Sequence, residues 1–159
     1  MTKAAAASLL ALIVVGCNGG SSTNPSPTTT STTTTAGPSS GVFVLDVLGA
    51  GLLSSDGSGN LFGVELRIQE TAGLGGAMNF IRLDYFRATG ELEERAELGA
   101  DDIVSALGTN RIAAGATWQE VVIFFFRASI KKGRELLVTV SITDDRGNTV
   151  ELRRRFVVA

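Results

Sequence analysis

The sequence predicts an all-β domain, an antiparallel β-sandwich of about seven strands, carried behind an N-terminal leader and a disordered linker. Three observations carry that expectation. From residue 41 onward, runs rich in Val, Ile, Leu, Phe and Thr alternate apolar and polar side chains with a period of two. Clusters of Gly, Asn, Asp and Ser interrupt those runs roughly every ten residues. Before residue 41 the composition breaks twice, first where an apolar stretch ends at Cys17 and again where a Ser/Thr/Pro-rich stretch gives way to alternation.

The first element is the leader, residues 1–16. Met1-Thr2-Lys3 supplies one positive charge, Ala4 to Val15 a twelve-residue apolar run, and Gly16 a small residue, which is the order of a secretory signal peptide. Twelve residues are too few to span a bilayer, which takes about 20 in a helix. Val14-Val15-Gly16-Cys17 resembles the lipobox of bacterial lipoproteins. The resemblance implies that the Cys17 sulfur receives a diacylglycerol, that the chain is cut just before Cys17, and that the freed amine is acylated with palmitate or a similar chain. Two or more acyl chains, at about 0.8 kcal/mol per buried methylene, hold a protein where a single myristoyl chain does so only marginally. The implied address is the bacterial cell envelope, with the membrane as a partner through the anchor. Asn18 after the cysteine implies the outer membrane where the host has two.

Residues 17–40 form the second element, the lipidated cysteine and its tether. "NGGSSTNPSPTTTSTTTTAGPSS" contains no large apolar residue, so it cannot bury enough surface to offset its conformational entropy. As a flexible coil its 23 residues span roughly 26 Å. Cys17 is the only cysteine, so disulfides and thiol catalysis are excluded and the domain must rest on its core. Without Lys3, 13 basic side chains face 16 acidic ones, a net charge of −3. That balance argues against nucleic acid as a partner.

The domain, residues 41–159, opens with the strand "VFVLDVL". In "LFGVELRIQE", Phe62, Val64, Leu66 and Ile68 form one apolar face against Gly63, Glu65, Arg67 and Gln69. "NFIRLDYFR" repeats the pattern, with Ile81, Leu83 and Tyr85 inward and Arg82, Asp84 and Arg87 mainly outward. The stretch 91–110 is ambiguous: "ELEERAEL" reads as a charged edge strand or as helical turns, and "ADDIVSALG" as a short helix capped by Asp101 or Asp102. "WQEVVIFFFR" and "ELLVTVSIT" are the next strands, the latter burying Leu136, Val138, Val140 and Ile142. "TDDRGNT" makes a hairpin, with Gly147 supplying a positive φ. The closing "TVELRRRFVVA" offers Val150, Leu152, Phe156 and Val158 to the core, and Arg154 predicts a bulge or a strand end where its guanidinium reaches water.

"VTVSITDDRGNTVELRRRFVV" and "VELRIQETAGLGG" give the last three quarters of the chain a resemblance to the immunoglobulin-like or fibronectin-III-like modules of bacterial surface and secreted proteins. The resemblance implies an immunoglobulin-like sandwich. The cysteine pair and framed tryptophan of antibody domains are absent, and sandwiches of this kind carry many unrelated functions.

No histidine occurs, which removes the commonest general base and metal ligand, and no catalytic residue is expected. The adjacent carboxylates Asp101-Asp102 and Asp144-Asp145 point to opposite faces if extended. "TAGLGGA" lacks the spacing of a dinucleotide loop and leads into a strand. Asp144, Asp145 and Asn148, with Asp56 and Asn60 in a second loop, are the weak candidates for calcium, and turn chemistry explains both groups equally well. "VVIFFF" is apolar at every position: burial accounts for most of it, and the other reading is an exposed stripe for a protein or glycan. Arg127, Lys131, Lys132 and Arg134, with Arg153 to Arg155, read as solvated edge charges or as a basic patch for anionic glycans or lipid headgroups. The expected function is a non-catalytic binding or spacer module on an envelope lipoprotein; the alternative is a calcium-dependent adhesion or ligand-binding domain.

Overall fold

The computed structural model describes residues 38–158. The leader expected over 1–16, the lipidation expected at Cys17 and the expected tether as far as residue 37 lie outside the described residues. Strands β1 (Phe43–Asp56), β2 (Gly59–Glu70), β3 (Gly76–Phe86) and β4 (Leu92–Gly99) precede a helix, α1 (Ala100–Leu107). The two-residue β5 (Arg111–Ile112), β6 (Thr117–Phe126), β7 (Glu135–Asp144) and β8 (Thr149–Val157) complete the domain.

All pairings are antiparallel. One sheet runs β1-β2-β6 and the other β4-β3-β7-β8, with β5 joined to the start of β3. The apolar members of each alternating strand meet between the sheets: Phe62, Val64, Leu66 and Ile68 from β2 and Val122, Phe124 and Phe126 from β6 face Ile81, Leu83 and Tyr85 from β3 and Leu136, Val138, Val140 and Ile142 from β7. Burying an aliphatic or aromatic side chain of this size contributes about 1.5 to 3 kcal/mol before entropy is subtracted.

Bulges adjust the phase. Asn79 is the extra residue in β3, so that Met78 and Ile81, three apart, both point inward. Leu48 and Leu53 are the extra residues in β1. Between β7 and β8 the register is unbroken, so the bulge anticipated at Arg154 is absent. Because β8 is a sheet edge, the Arg154 guanidinium leaves the core side and reaches Asp46 on β1 at 3.3 Å. Val150, assigned to the core from the sequence, is exposed near the start of that edge strand. At the opposite open side, Glu94 from β4 accepts from the backbone N–H groups of Arg127 (2.9 Å) and Ala128 (2.6 Å) after β6.

The 91–110 stretch holds both alternatives in succession, a strand and then a helix. The N-cap of α1 is Gly99, whose N–H donates to Asp102 at 3.1 Å, and Gly108 ends the helix in the left-handed region. Asp84, read as outward, does face away from the core, yet it is buried beneath Arg95, which binds it through Nε (2.6 Å) and Nη2 (3.1 Å).

Candidate functional site

The strand directions create two poles. At one, residue 41 leads into β1, and the 71–75, 113–116 and 145–148 connections gather. At the other lie the β1–β2 turn, the β3–β4 turn and the 127–134 loop.

Buried carboxylates organise the first pole. Glu70 accepts N–H groups from Ala72 (2.8 Å), Gly73 (2.9 Å) and Gly115 (2.7 Å), tying two loops together. Burial pushes its carboxyl up, but these bonds, with one from Leu74, outweigh it and leave the group below its ordinary range. No motif marks Glu70, because its partners are backbone groups from two separate loops.

Asp144 accepts from the N–H groups of Gly41 (2.8 Å), Arg146 (2.9 Å) and Asn148 (2.8 Å) and from the Asn148 side-chain amide (2.9 Å). Gly41 first and the Asn148 amide second hold its carboxyl down to about 2 against the opposing effect of desolvation. Of the three calcium candidates there, Asp144 and Asn148 are therefore together, as acceptor and donor of one turn. Asp145 points away and pairs with Arg111. In the second loop Asp56 accepts from Ser58 and Gly59, whereas Asn60 donates to the Ala128 carbonyl at 2.8 Å. Among the described residues no three Asp, Glu, His or Cys side chains form a metal-like group. Thr71 to Gly75 of "TAGLGGA" form the loop between β2 and β3, with Gly73 at φ +78°, and Gly76 and Ala77 already belong to β3.

The largest departure from expectation is on β6. Residues opposite one another in an antiparallel ladder share a face. Leu61 lies opposite Phe125, Gly63 opposite Ile123 and Glu65 opposite Val121, all on the side away from the core. Val122, Phe124 and Phe126 are buried as expected, but Val121, Ile123 and Phe125 are not, and burial explains only half of the run. Because β6 closes a three-stranded sheet whose outer face no other described element covers, every second residue meets solvent.

Two glycines shape this surface. Leu53 folds over Gly63, where a Cβ would lie 3.1 Å from the leucine Cδ1, and the Phe125 ring covers Gly59. Leu53, Leu61, Val121, Ile123 and Phe125, each 40–55% exposed, make an apolar patch on the half of the sheet nearer the second pole. Toward residue 43 the same face turns polar, with Gln119 donating to Glu65 (2.8 Å) and Arg67 paired with Asp46 (2.7 Å).

The basic residues separate into two sets. Arg153, Arg154 and Arg155 each hold a carboxylate, Glu151, Asp46 and Glu135 respectively, and behave as edge charges. Lys132 and Arg134 instead join Arg87 around an open cavity of about 310 Å³ at the second pole. Arg87 is 45 positions from Lys132 in the chain, so no local spacing announces the meeting.

No protein family and no curated protein matches the chain. Two of the solved structures similar to it in fold are these. The structural-genomics target SoR45 superposes with a TM-score of 0.54 at 12% identity over 74% of this chain and 86% of its own. A Bordetella pertussis protein described as ApaA superposes with a TM-score of 0.54 at 13% identity over 75% of this chain and 94% of its own. At such identities the likeness concerns the sandwich alone.

Proposed function

We propose that this chain is a lipid-anchored protein of the bacterial cell envelope whose immunoglobulin-like, fibronectin-III-like sandwich is a non-catalytic binding module. The anchor rests on the leader, the lipobox-like Val14 to Cys17 and the tether composition. The finer fold reading is supported by the division of the strands, with the first, second and sixth in one sheet and the third, seventh and eighth in the other. Lettered along the chain with β5 omitted, these are A, B and E against C, F and G, and β4 extends the second sheet.

One observation carries the binding role: the apolar patch around Ile123 and Phe125, displaced from the pole where residue 41 enters. Contiguous exposed apolar surface with a polar rim marks interaction sites. It suits a protein or glycan held clear of the membrane. The lack of histidine, and carboxylates already engaged by N–H groups and arginines, support a non-catalytic reading.

The test compares the full chain with its Cys17→Ala and Ile123→Glu variants. The native chain is expected in the membrane fraction with added acyl mass, and Cys17→Ala in the soluble fraction without it. Ile123→Glu keeps the anchor and the melting temperature but loses retention of isolated envelope components. If the native chain and Cys17→Ala partition alike, the anchor is wrong; if Ile123→Glu binds those components as well as the native chain does, the patch is not the binding face.

A further inference from the structure

We propose that the cavity between the β3–β4 turn and the 127–134 loop is a binding site for a phosphate or sulfate ester. It is separate from the apolar patch, since its walls come mainly from the other sheet. Arg87, Lys132 and Arg134 line it, with Ala88, Gly90 and Gly133 between them and Glu135 at one wall.

The charge there is only partly compensated. Glu135 is held by Arg155 at 2.8 Å, and Arg87 has only a 3.9 Å exposed contact with Glu91. Among the described residues, no carboxylate lies within ion-pair distance of Lys132 or Arg134. The Arg134 Nη1 is shielded from solvent yet finds no acceptor on the protein. A shielded donor without an acceptor is costly, and a turn of the Arg134 side chain that brings it into the cavity would let a ligand oxygen relieve it.

Three cations suit an oxyanion with more acceptor oxygens than a carboxylate has. A phosphate monoester brings a charge of about −1.5 to −2 and three acceptor oxygens, and a sulfate monoester brings a single charge and the same three oxygens, whereas a carboxylate brings one charge and two oxygens. The planar guanidinium fork can grip such a group through paired hydrogen bonds. A volume of about 310 Å³ lies at the small end of ligand sites, enough for the oxyanion and part of the sugar or glycerol that bears it.

Both walls are set in advance. Gly90 and Gly133 take positive φ values of +84° and +77°, and their N–H groups donate to the carbonyls of Arg87 (3.0 Å) and Val158 (2.9 Å). Preformed turns lower the ordering cost of binding.

The experiment uses the full chain carrying Cys17→Ala, so that an acyl anchor cannot mimic vesicle binding. Calorimetry with inorganic phosphate, inorganic sulfate and glucose 6-phosphate is paired with sedimentation on phosphatidylglycerol or phosphatidylcholine vesicles. Saturable, salt-sensitive binding is expected, falling roughly tenfold or more in Lys132→Glu and in Arg134→Lys at unchanged melting temperature, and unaffected by Arg153→Glu. Binding of glucose 6-phosphate without vesicle sedimentation assigns the ester to a sugar. Sedimentation on phosphatidylglycerol alone, lost in Lys132→Glu, assigns it to a lipid. The proposal is overturned if none of these probes binds at up to about 10 mM, or if Lys132→Glu and Arg87→Glu bind them as the parent chain does.

Discussion

The outer faces of the two sheets differ in how they meet water. On the β4-β3-β7-β8 sheet most outward positions carry polar or charged pairs, with Val157 at the end of β8 an exposed exception: Arg95 covers Asp84, the Arg82 guanidinium lies 4.6 Å from the Phe80 ring centre, Asn79 donates to Ser141 and Thr143, and Arg153 and Arg155 hold Glu151 and Glu135. On the β1-β2-β6 sheet the outward positions near the second pole are Leu61, Val121, Ile123 and Phe125. Both faces lie on twisted antiparallel ladders of similar length, so geometry does not demand the difference. Composition makes it, and the contrast separates a surface complete by itself from one suited to a covering partner.

The sharpest way to break the contrast is to truncate adjacent phenylalanines on β6. Phe124→Ala empties a core position and is expected to cost about 3 to 5 kcal/mol in urea unfolding. Phe125→Ala removes an outward ring resting on Gly59 and should cost under about 1 kcal/mol. Equal losses would mean that both faces of β6 are structural, and the patch would lose its claim as a binding surface.

Next in size is Glu70→Ala, which strands the N–H groups of Ala72, Gly73 and Gly115 at the first pole. A loss of about 2 to 3 kcal/mol is expected, because donors shielded from water are left unpaired. Hydrogen exchange at Gly115 should accelerate in the variant while exchange at Ile123 does not change. A uniform acceleration would show that the pole is not a local unit.

The smallest effect concerns acid. The Asp144 carboxyl titrates near 2 when folded and near 3.8 as its ordinary value, so its stabilisation is complete above about pH 4 and is lost as pH falls toward 2. The native chain should therefore lose melting temperature through that window more steeply than Asp144→Asn. Parallel curves would refute the assignment. In the same melts calcium and a chelator should give one temperature, since both Asp144 oxygens already accept from N–H donors.

What could be read in advance follows the periodicity. β2, β3 and β7 alternate clearly, and each buries the side chains assigned to it. The hairpin at Gly147 and the short helix carry local chemistry and are present, but the N-cap is Gly99, and Asp101 and Asp102, expected to cap the helix, lie inside its first turn. On β6 the signal vanishes, because six consecutive apolar residues look alike whichever three face solvent. Arg154 misled for the opposite reason: a charge on the core side predicts disruption unless the strand is known to be an edge. Asp84 with Arg95, Glu70 with Gly115, and Arg87 with Lys132 and Arg134 are joined by the folded topology, so no spacing along the chain reveals them.

The attachment of residues 39–41 to the β7–β8 turn has a mechanical consequence. Gly41 donates to Asp144, and the Ser39 carbonyl accepts from Asn148, just before β1 begins its ladder with β2. A pull applied at residue 39 and resisted at the far pole runs parallel to the strands. The rungs, which lie across the strands, then share the load in shear and do not peel one after another as in a zipper. Tension along the strands is thereby spread over the whole ladder, with the Asp144 turn as a second point of attachment for the entering chain.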